Sequence, residues 1–232
     1  HIVATAAAAQ MNGFGSVGII RGEKPKVFSP SLNDALHFGM ALFFTSRKNY
    51  SHKIVPDEVL KLDNYSDFYI IPEGGYGALG AKGAMEIMTG ANTANYSHIL
   101  LAAGTGTTAA GLMAATKPHQ KIIGIPVLKN NFSLQQEIEK LIPEEKWQRL
   151  EWFPTYHFGG YAKHTKELLL FMNDLYFKTN IPTDFVYTAK AFYAAFDLLN
   201  KNYFRPTDTL LIVHTGGLQG NRSLKKGTLI FE

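Results

Sequence analysis

The segment Ser97 to Leu112 reads SHILLAAGTGTTAAGL. An apolar run ends in Gly104-Thr105-Gly106-Thr107-Thr108, and a small-residue helical pattern follows at once. That order of residue types suits an anion. Glycine lets the backbone approach a ligand closely. The free N–H groups of a helix start, with the positive end of the helix dipole, favour phosphate. The hydroxyls of Thr105, Thr107 and Thr108 add donors. An ordinary strand-to-helix turn needs fewer Gly and Thr residues than these five. The loop also meets a loose dinucleotide pattern, Gly104-x-Gly106-x-x-Ala109, which alone is weak. The next apolar run, KIIGIPV, leads into Leu128-Lys129-Asn130, where a nucleotide fold would want an acidic residue for the ribose. A Walker loop is excluded because no Gly-Lys-Ser/Thr follows.

A second signal is Leu210 to Gly220, LLIVHTGGLQG. A buried strand would deliver His214 and Thr215 to its C-terminal end, where α/β sheets place their ligands. A structural turn with a capped Thr would read the same way. Two tyrosines, Tyr161 in HFGGYAKHT and Tyr187 in DFVYTAK, sit at loop-to-helix entries, although most tyrosines so placed only pack. His37, His52, His119, His157 and His164 show no metal-ligand spacing with carboxylates. Glu144-Glu145 reads as a solvated first turn after Pro143, and Phe171, Tyr176 and Phe177 as core.

Strand and helix signals alternate along the chain, which predicts a parallel sheet covered by helices. Helices are expected over His1–Asn12, over Ser31–Gly39 with Ser31 as N-cap, and over Ala109–Thr116, Ser133–Ile142, Lys163–Phe177 and Thr188–Asn200. Strands are expected over Ser16–Arg21, Ala41–Thr45, Phe68–Ile71, Ser97–Ala102, Lys121–Val127 and Thr209–Val213. The polar stretch Ser46–Asn64 reads as a linker or crossover, and Glu73–Gly83 as a glycine-rich loop running into a helix.

The 232 residues are 46% hydrophobic and 18% charged, enough for a sizeable core and against general disorder. The net charge of +4 is spread out, with no basic run interleaved with aromatics, so it fits an anionic ligand and argues against nucleic acid. The absence of cysteine removes disulfides, thiolate catalysis and zinc–thiolate sites and suits a reducing cytoplasm. No apolar run reaches the roughly 20 residues of a membrane span. The Ala-rich start lacks the basic segment of a signal peptide. It has no initiator Met, so upstream sequence is expected.

Six segments occur in an order that resembles the D-cysteine desulfhydrase and 1-aminocyclopropane-1-carboxylate deaminase family. They are His1-Ile2-Val3-Ala4-Thr5-Ala6-Ala7-Ala8, Ile19-Ile20-Arg21-Gly22-Glu23, Ile71-Pro72-Glu73-Gly74-Gly75, the Gly/Thr loop, Val186-Tyr187-Thr188-Ala189-Lys190 and His214-Thr215-Gly216-Gly217. The resemblance covers nearly the whole chain. It implies the α/β, two-lobed, parallel-sheet fold of the tryptophan-synthase-β-like, fold type II enzymes that use pyridoxal 5'-phosphate (PLP). A small lobe over residues 1–55, incomplete here, would precede a large PLP-binding lobe over residues 56–232. A small amino-acid substrate, a homodimer and a cytoplasmic location are also implied.

Carried over by that resemblance, Gly104, Thr105, Gly106, Thr107 and Thr108 would hold the PLP phosphate. Thr215 would sit at the pyridine nitrogen, and Tyr161 and Tyr187 would line the substrate pocket. His1 would match the His of the family's Ser-Asn-His segment. The family's cofactor-bonding lysine would then fall upstream of residue 1. Cyclopropane deaminases resemble one another in having Glu after the second tyrosine and Leu where Thr215 stands. Thr188 and Thr215 follow the desulfhydrase pattern, with Thr188 shaping the same wall. The expected activity is therefore that of a PLP-dependent lyase or deaminase: β-elimination from D-cysteine to pyruvate, ammonia and sulfide, or ring opening of the cyclopropane amino acid. Two other readings stay open. One is an NADP-dependent reductase in which Lys129 meets the 2′-phosphate, and the other is a PLP-fold binding protein without catalysis.

Overall fold

The alternating signals resolve into two parallel sheets. The computed structural model describes residues 1–63, 65–90, 92–131 and 133–231, and the chain divides into two compact units, His1–Ile71 and Pro72–Glu232.

In the first unit, helix α1 (Ile2–Met11) leads into strand β1 (Ser16–Arg21), helix α2 (Pro30–His37) and strand β2 (Met40–Thr45). The two strands pair in parallel, from Ser16 opposite Met40 to Arg21 opposite Thr45. Ala6 of α1, Ala35 of α2 and Met40 form the core. A Cβ at Gly18 would lie 2.8 Å from Met40 Sδ and 3.0 Å from Ile2 Cδ1, so the strand needs glycine where the α1 side chains cross it. The N-cap of α2 is Ser29, not Ser31. Ser29 Oγ accepts from Leu32 N, and Pro30 fills the first helical position, where a missing N–H costs nothing. The polar stretch expected as a linker carries two short helices, α3 (Arg47–Ser51, capped by Ser46) and α4 (Asp57–Leu60). Asn64, the end of that stretch, lies outside the described residues. Phe68–Ile71 is not a strand. It belongs to no ladder among the described residues and its side chains are exposed, because apolar composition makes no strand without a pairing partner.

In the second unit, helix α5 (Ala78–Gly90) precedes strand β3 (His98–Ala103), helix α6 (Thr107–Ala115) and strand β4 (Lys121–Pro126). Helix α7 (Leu134–Glu139), strand β5 (Leu150–Trp152), helix α8 (Lys166–Thr179), helix α9 (Thr188–Asn200) and strand β6 (Leu210–Ile212) follow. The sheet order is β5-β4-β3-β6, all parallel. All six residues of β3 are buried, as befits a parallel strand covered on both faces. Ile99, Leu101 and Ala103 meet buried residues of α5, α6 and α7, whereas Leu100 and Ala102 meet Ala191, Ala194, Ala195 and Leu198 of α9. Helix α6 packs on α5 through small residues, since a Cβ at Gly111 would lie 2.5 Å from Ala84 Cβ. Phe177 is 80% exposed and is not core, because the buried stripe of α8 runs through Leu168, Met172 and Leu175. Among the described residues no helix is long and apolar enough to cross a membrane.

Candidate active site

Strand β3 passes the chain directly to the Gly/Thr loop. Helix α6 starts at Thr107, two residues earlier than its apolar pattern suggests, so Thr107 and Thr108 form its first turn and Gly106 its N-cap. Gly106 has φ 91°, a conformation that glycine adopts without a Cβ penalty. A Cβ there would also lie 2.5 Å from Ile138 Cγ1, because α7 closes the back of the loop. A helix start leaves its first N–H groups without intrahelical acceptors. Here the N–H groups of Thr107, Thr108 and Ala109 find no acceptor among the described residues, and no side chain caps the helix. Thr105 Oγ1 and Thr107 Oγ1 are 3.1 Å apart. Gly104, Thr105 and Thr108 are half-buried. The result is a strip of unspent donors, with half-buried Thr108 at its edge.

A second turn backs this strip. Glu73–Gly75 forms a 3-10 turn in which Gly74 has φ 67°. Any side chain at Gly74 would collide with Thr105, so glycine there lets the two loops touch.

Tyr187 lies on the other side. A Cβ at Gly104 would sit 3.2 Å from Tyr187 Cε1 and 3.4 Å from its hydroxyl oxygen. The Tyr161 and Tyr187 rings meet edge to face at 6.0 Å between centroids and 74°. Burial, reinforced by Tyr161, pushes the Tyr187 hydroxyl well above the ordinary range, so it is a neutral donor near pH 7. Tyr161 is 55% exposed and lies in a turn five residues before α8, not at the entry of that helix.

The segment before α9 is tied down by a residue the sequence reading passed over. Asp184 is buried and caps the helix entry. Its Oδ1 accepts from Val186 N at 2.9 Å and Tyr187 N at 2.8 Å, and its Oδ2 accepts from Thr188 N at 2.9 Å. The Thr188 hydroxyl donates to Asp184 Oδ2 at 2.6 Å and accepts from Asp184 N at 2.8 Å. Thr188 is therefore committed to the cap and does not shape the wall beside Tyr187. The spacing of Asp184 before an apolar helix was the available signal.

Strand β6 leaves the same edge of the sheet as β3, with Ile212 opposite Leu100. Thr215 follows three residues later, exposed, and its hydroxyl makes no hydrogen bond within the described residues. His214 anchors the turn. Gly216 N donates to His214 Nδ1 at 3.1 Å, which leaves Nε2 as the protonated nitrogen, donating to Pro182 O at 2.8 Å. Asn221 joins the same two segments, accepting from Phe185 N and donating to Thr183 O. The Gly/Thr loop, Tyr187 and Tyr161 are thus contiguous. Thr215 shares their sheet edge, and His1 is the N-cap of α1 in the first unit.

The donor strip fits the phosphate of PLP. The loop has glycine where a side chain would close it, hydroxyls on its rim and free amides at a helix start.

No family model matches the chain. A protein of Pyrococcus furiosus named putative 1-aminocyclopropane-1-carboxylate deaminase is 28% identical over 239 residues, covering 95% of this chain and 71% of that protein. One of the same name from Thermotoga maritima is 29% identical over 196 residues, covering 72% of this chain and 61% of its own length. Among solved structures, one described as an ACC deaminase homologue superposes with a TM-score of 0.78 at 26% identity, covering 95% of this chain and 71% of that one. A hydrogen sulfide-producing enzyme from Fusobacterium nucleatum shares the fold at 16% identity, with a TM-score of 0.64 over 96% of this chain and 69% of its own. The chain is similar to proteins named putative 1-aminocyclopropane-1-carboxylate deaminase; it is an enzyme of the PLP-dependent lyase and deaminase kind, built on the fold type II scaffold.

Proposed function

We propose that this protein binds PLP through the Gly104–Thr108 loop and catalyses β-elimination from a small D-amino acid. D-cysteine plus water would give pyruvate, ammonia and hydrogen sulfide. The observation that carries the reading is the set of unspent N–H donors at Thr107, Thr108 and Ala109, at the C-terminal edge of a parallel strand. When bound, PLP supplies the electron sink that lets bonds at the amino acid's carbons break.

The chain's own residues would act as follows. The loop amides and the hydroxyls of Thr105, Thr107 and Thr108 hold the phosphate dianion. Thr215 presents a neutral hydroxyl to the ring nitrogen and leaves that nitrogen unprotonated, which is sufficient for a good leaving group such as thiolate. Tyr187, a neutral phenol beside Gly104, and Tyr161, its exposed partner, position the substrate and pass a proton towards the departing group. Because the Thr188 hydroxyl is spent on Asp184, Thr215 is the hydroxyl left to meet the ring nitrogen. The relatives' name favours the second reading, release of 2-oxobutyrate and ammonia from 1-aminocyclopropane-1-carboxylate.

The deciding experiment assays the full-length protein with both substrates, measuring sulfide and 2-oxobutyrate. Sulfide is expected from D-cysteine, falling when Thr215→Leu removes the hydroxyl. Efficient 2-oxobutyrate release without sulfide would overturn the elimination reading but keep the PLP one. Absence of a PLP absorbance band on titration would overturn both.

A further inference from the structure

Lys190 is the largest fully buried side chain among the described residues, at 0% exposure. It lies three residues after Tyr187 at the start of α9. Burying an amine is costly unless it is put to use, and Leu or Met would fill the same volume more cheaply. Its one hydrogen bond within the described residues runs from Nζ to Gly160 O, at 2.8 Å. Gly160 is the residue before Tyr161.

The turn around Gly160 needs a restraint. Phe158 and Ala162 both have φ 50°, and Gly160 has φ 112°. A left-handed conformation at two non-glycine residues costs energy and persists only where the surroundings impose it. One restraint is the Phe158 ring, packed edge to face on Tyr193 of α9 at 4.9 Å. Two more come from His157, whose Nδ1 accepts from Gly159 N at 2.9 Å and whose carbonyl accepts from Gly160 N at 3.0 Å. A fourth is the Lys190 bond to the Gly160 carbonyl, which also accepts from Lys163 N at 3.2 Å. Beyond these, Tyr161 is held chiefly by its edge contact with Tyr187.

We propose that Lys190 is a positioning residue: by fixing the Gly160 carbonyl it sets the turn that holds Tyr161 against Tyr187. Helix α9 would then place both members of the tyrosine pair, Tyr187 at its own entry and Tyr161 through Lys190. The inference rests on the reading that this pair lines the substrate pocket.

The test compares full-length protein carrying Lys190→Met, which keeps the length and loses the donor, with Lys190→Gln, which keeps a donor on a shorter stem. Two readouts need no turnover: amide exchange of residues 159–163, and the fluorine resonance of 3-fluorotyrosine at position 161. A third is the kinetic cycle with Tyr161→Phe. The expectation for Lys190→Met is faster exchange, a broadened or shifted fluorine signal and a loss of about tenfold or more in kcat. Tyr161→Phe should then add little, because the two changes act through one ring. Lys190→Gln should recover part of each. An unchanged fluorine signal and unchanged exchange in Lys190→Met would overturn the proposal, as would additive kinetic losses. If the Met variant does not fold, Lys190→Leu, which also lacks the donor, carries the test, and a wild-type fluorine signal with a wild-type cycle would overturn the proposal. If Tyr161→Phe and Tyr187→Phe leave turnover untouched, the pocket reading fails, while exchange and fluorine still decide the role of Lys190.

Discussion

The two ends of the four-stranded sheet treat their polar groups differently. At the N-terminal end the chain satisfies itself. Ser97 N donates to Thr209 Oγ1, Thr209 N to Ser97 Oγ, and Thr209 Oγ1 to Asn95 O. Lys121 and Glu151 form an ion pair at 2.8 Å, and Tyr203 donates to the same carboxylate. At the C-terminal end, the amides at the start of α6 and the Thr215 hydroxyl have no acceptor within the described residues. Both ends use Thr and Tyr side chains. Polar side chains therefore do not mark the site. Polar capacity left unspent at the edge where parallel strands deliver ligands does.

The sharpest way to break this comparison is to fill the gap at Gly106. Gly106→Ala forces a Cβ towards Ile138 at a left-handed φ, and each effect is destabilising, together costing about 2–4 kcal/mol. The turn can relieve both only by moving the amides of Thr107 and Thr108. PLP affinity, followed by absorbance titration of the full-length protein, should fall by about a hundredfold or more. Wild-type affinity in a folded Gly106→Ala variant would show that the donor strip is not where the phosphate binds.

The sequence made the strip legible, because five consecutive Gly and Thr residues between an apolar run and an Ala-rich run have few other uses. The parallel sheet was legible for a similar reason, since the buried strands read as unbroken apolar runs. What stayed hidden depends on contacts made across long separations. Strand β5 has three half-buried residues and no pattern of its own, and exists because β4 offers it an edge. Phe68–Ile71 has the composition of a strand and no such edge. Thr188 looks like a pocket residue in one dimension and is spent on Asp184 in three. Lys190 looks like an ordinary helix lysine until α9 is seen to be buried on almost every side.

A smaller effect tests the same contrast through protonation. Burial lowers Lys190 to about 8 from its ordinary 10.5, with Asp184 opposing the shift. Below pH 8 the folded and unfolded chains both carry the proton, and folding bears the full cost of the buried charge. Between pH 8 and 10.5 the unfolded chain keeps a proton that the folded one has released, so stability rises with pH. Above 10.5 the cost is gone. Relative to Lys190→Met, the wild type should therefore gain on the order of 3 kcal/mol between pH 7.5 and 10.5. Paired urea titrations at several pH values measure that difference. A flat difference would mean that Lys190 reaches solvent, and the restraint on Tyr161 would have to come from Phe158 and the His157 hydrogen bonds.

The smallest expected effect comes from the self-satisfied end, and it supplies the control. Burial would raise the Glu151 carboxyl, but hydrogen bonds from Lys121 and Tyr203 outweigh that and hold it below 4.5. A carboxylate lowered in this way stabilises the fold above the unfolded pKa, and the benefit is lost as pH falls through the folded value. Glu151→Gln keeps an acceptor for Tyr203 and removes the charge facing Lys121. Because Lys121 is half-exposed, the loss at pH 7 should be about 1 kcal/mol or less. It should vanish once the pH has fallen through the lowered folded pKa, where both proteins carry a neutral side chain at position 151. PLP affinity should match the wild type throughout, since nothing at this end of the sheet has donors to spare. A Glu151→Gln variant that lost cofactor as severely as Gly106→Ala would mean that the two ends are coupled through β3 and β4. The separation between a structural end and a functional end would then fail.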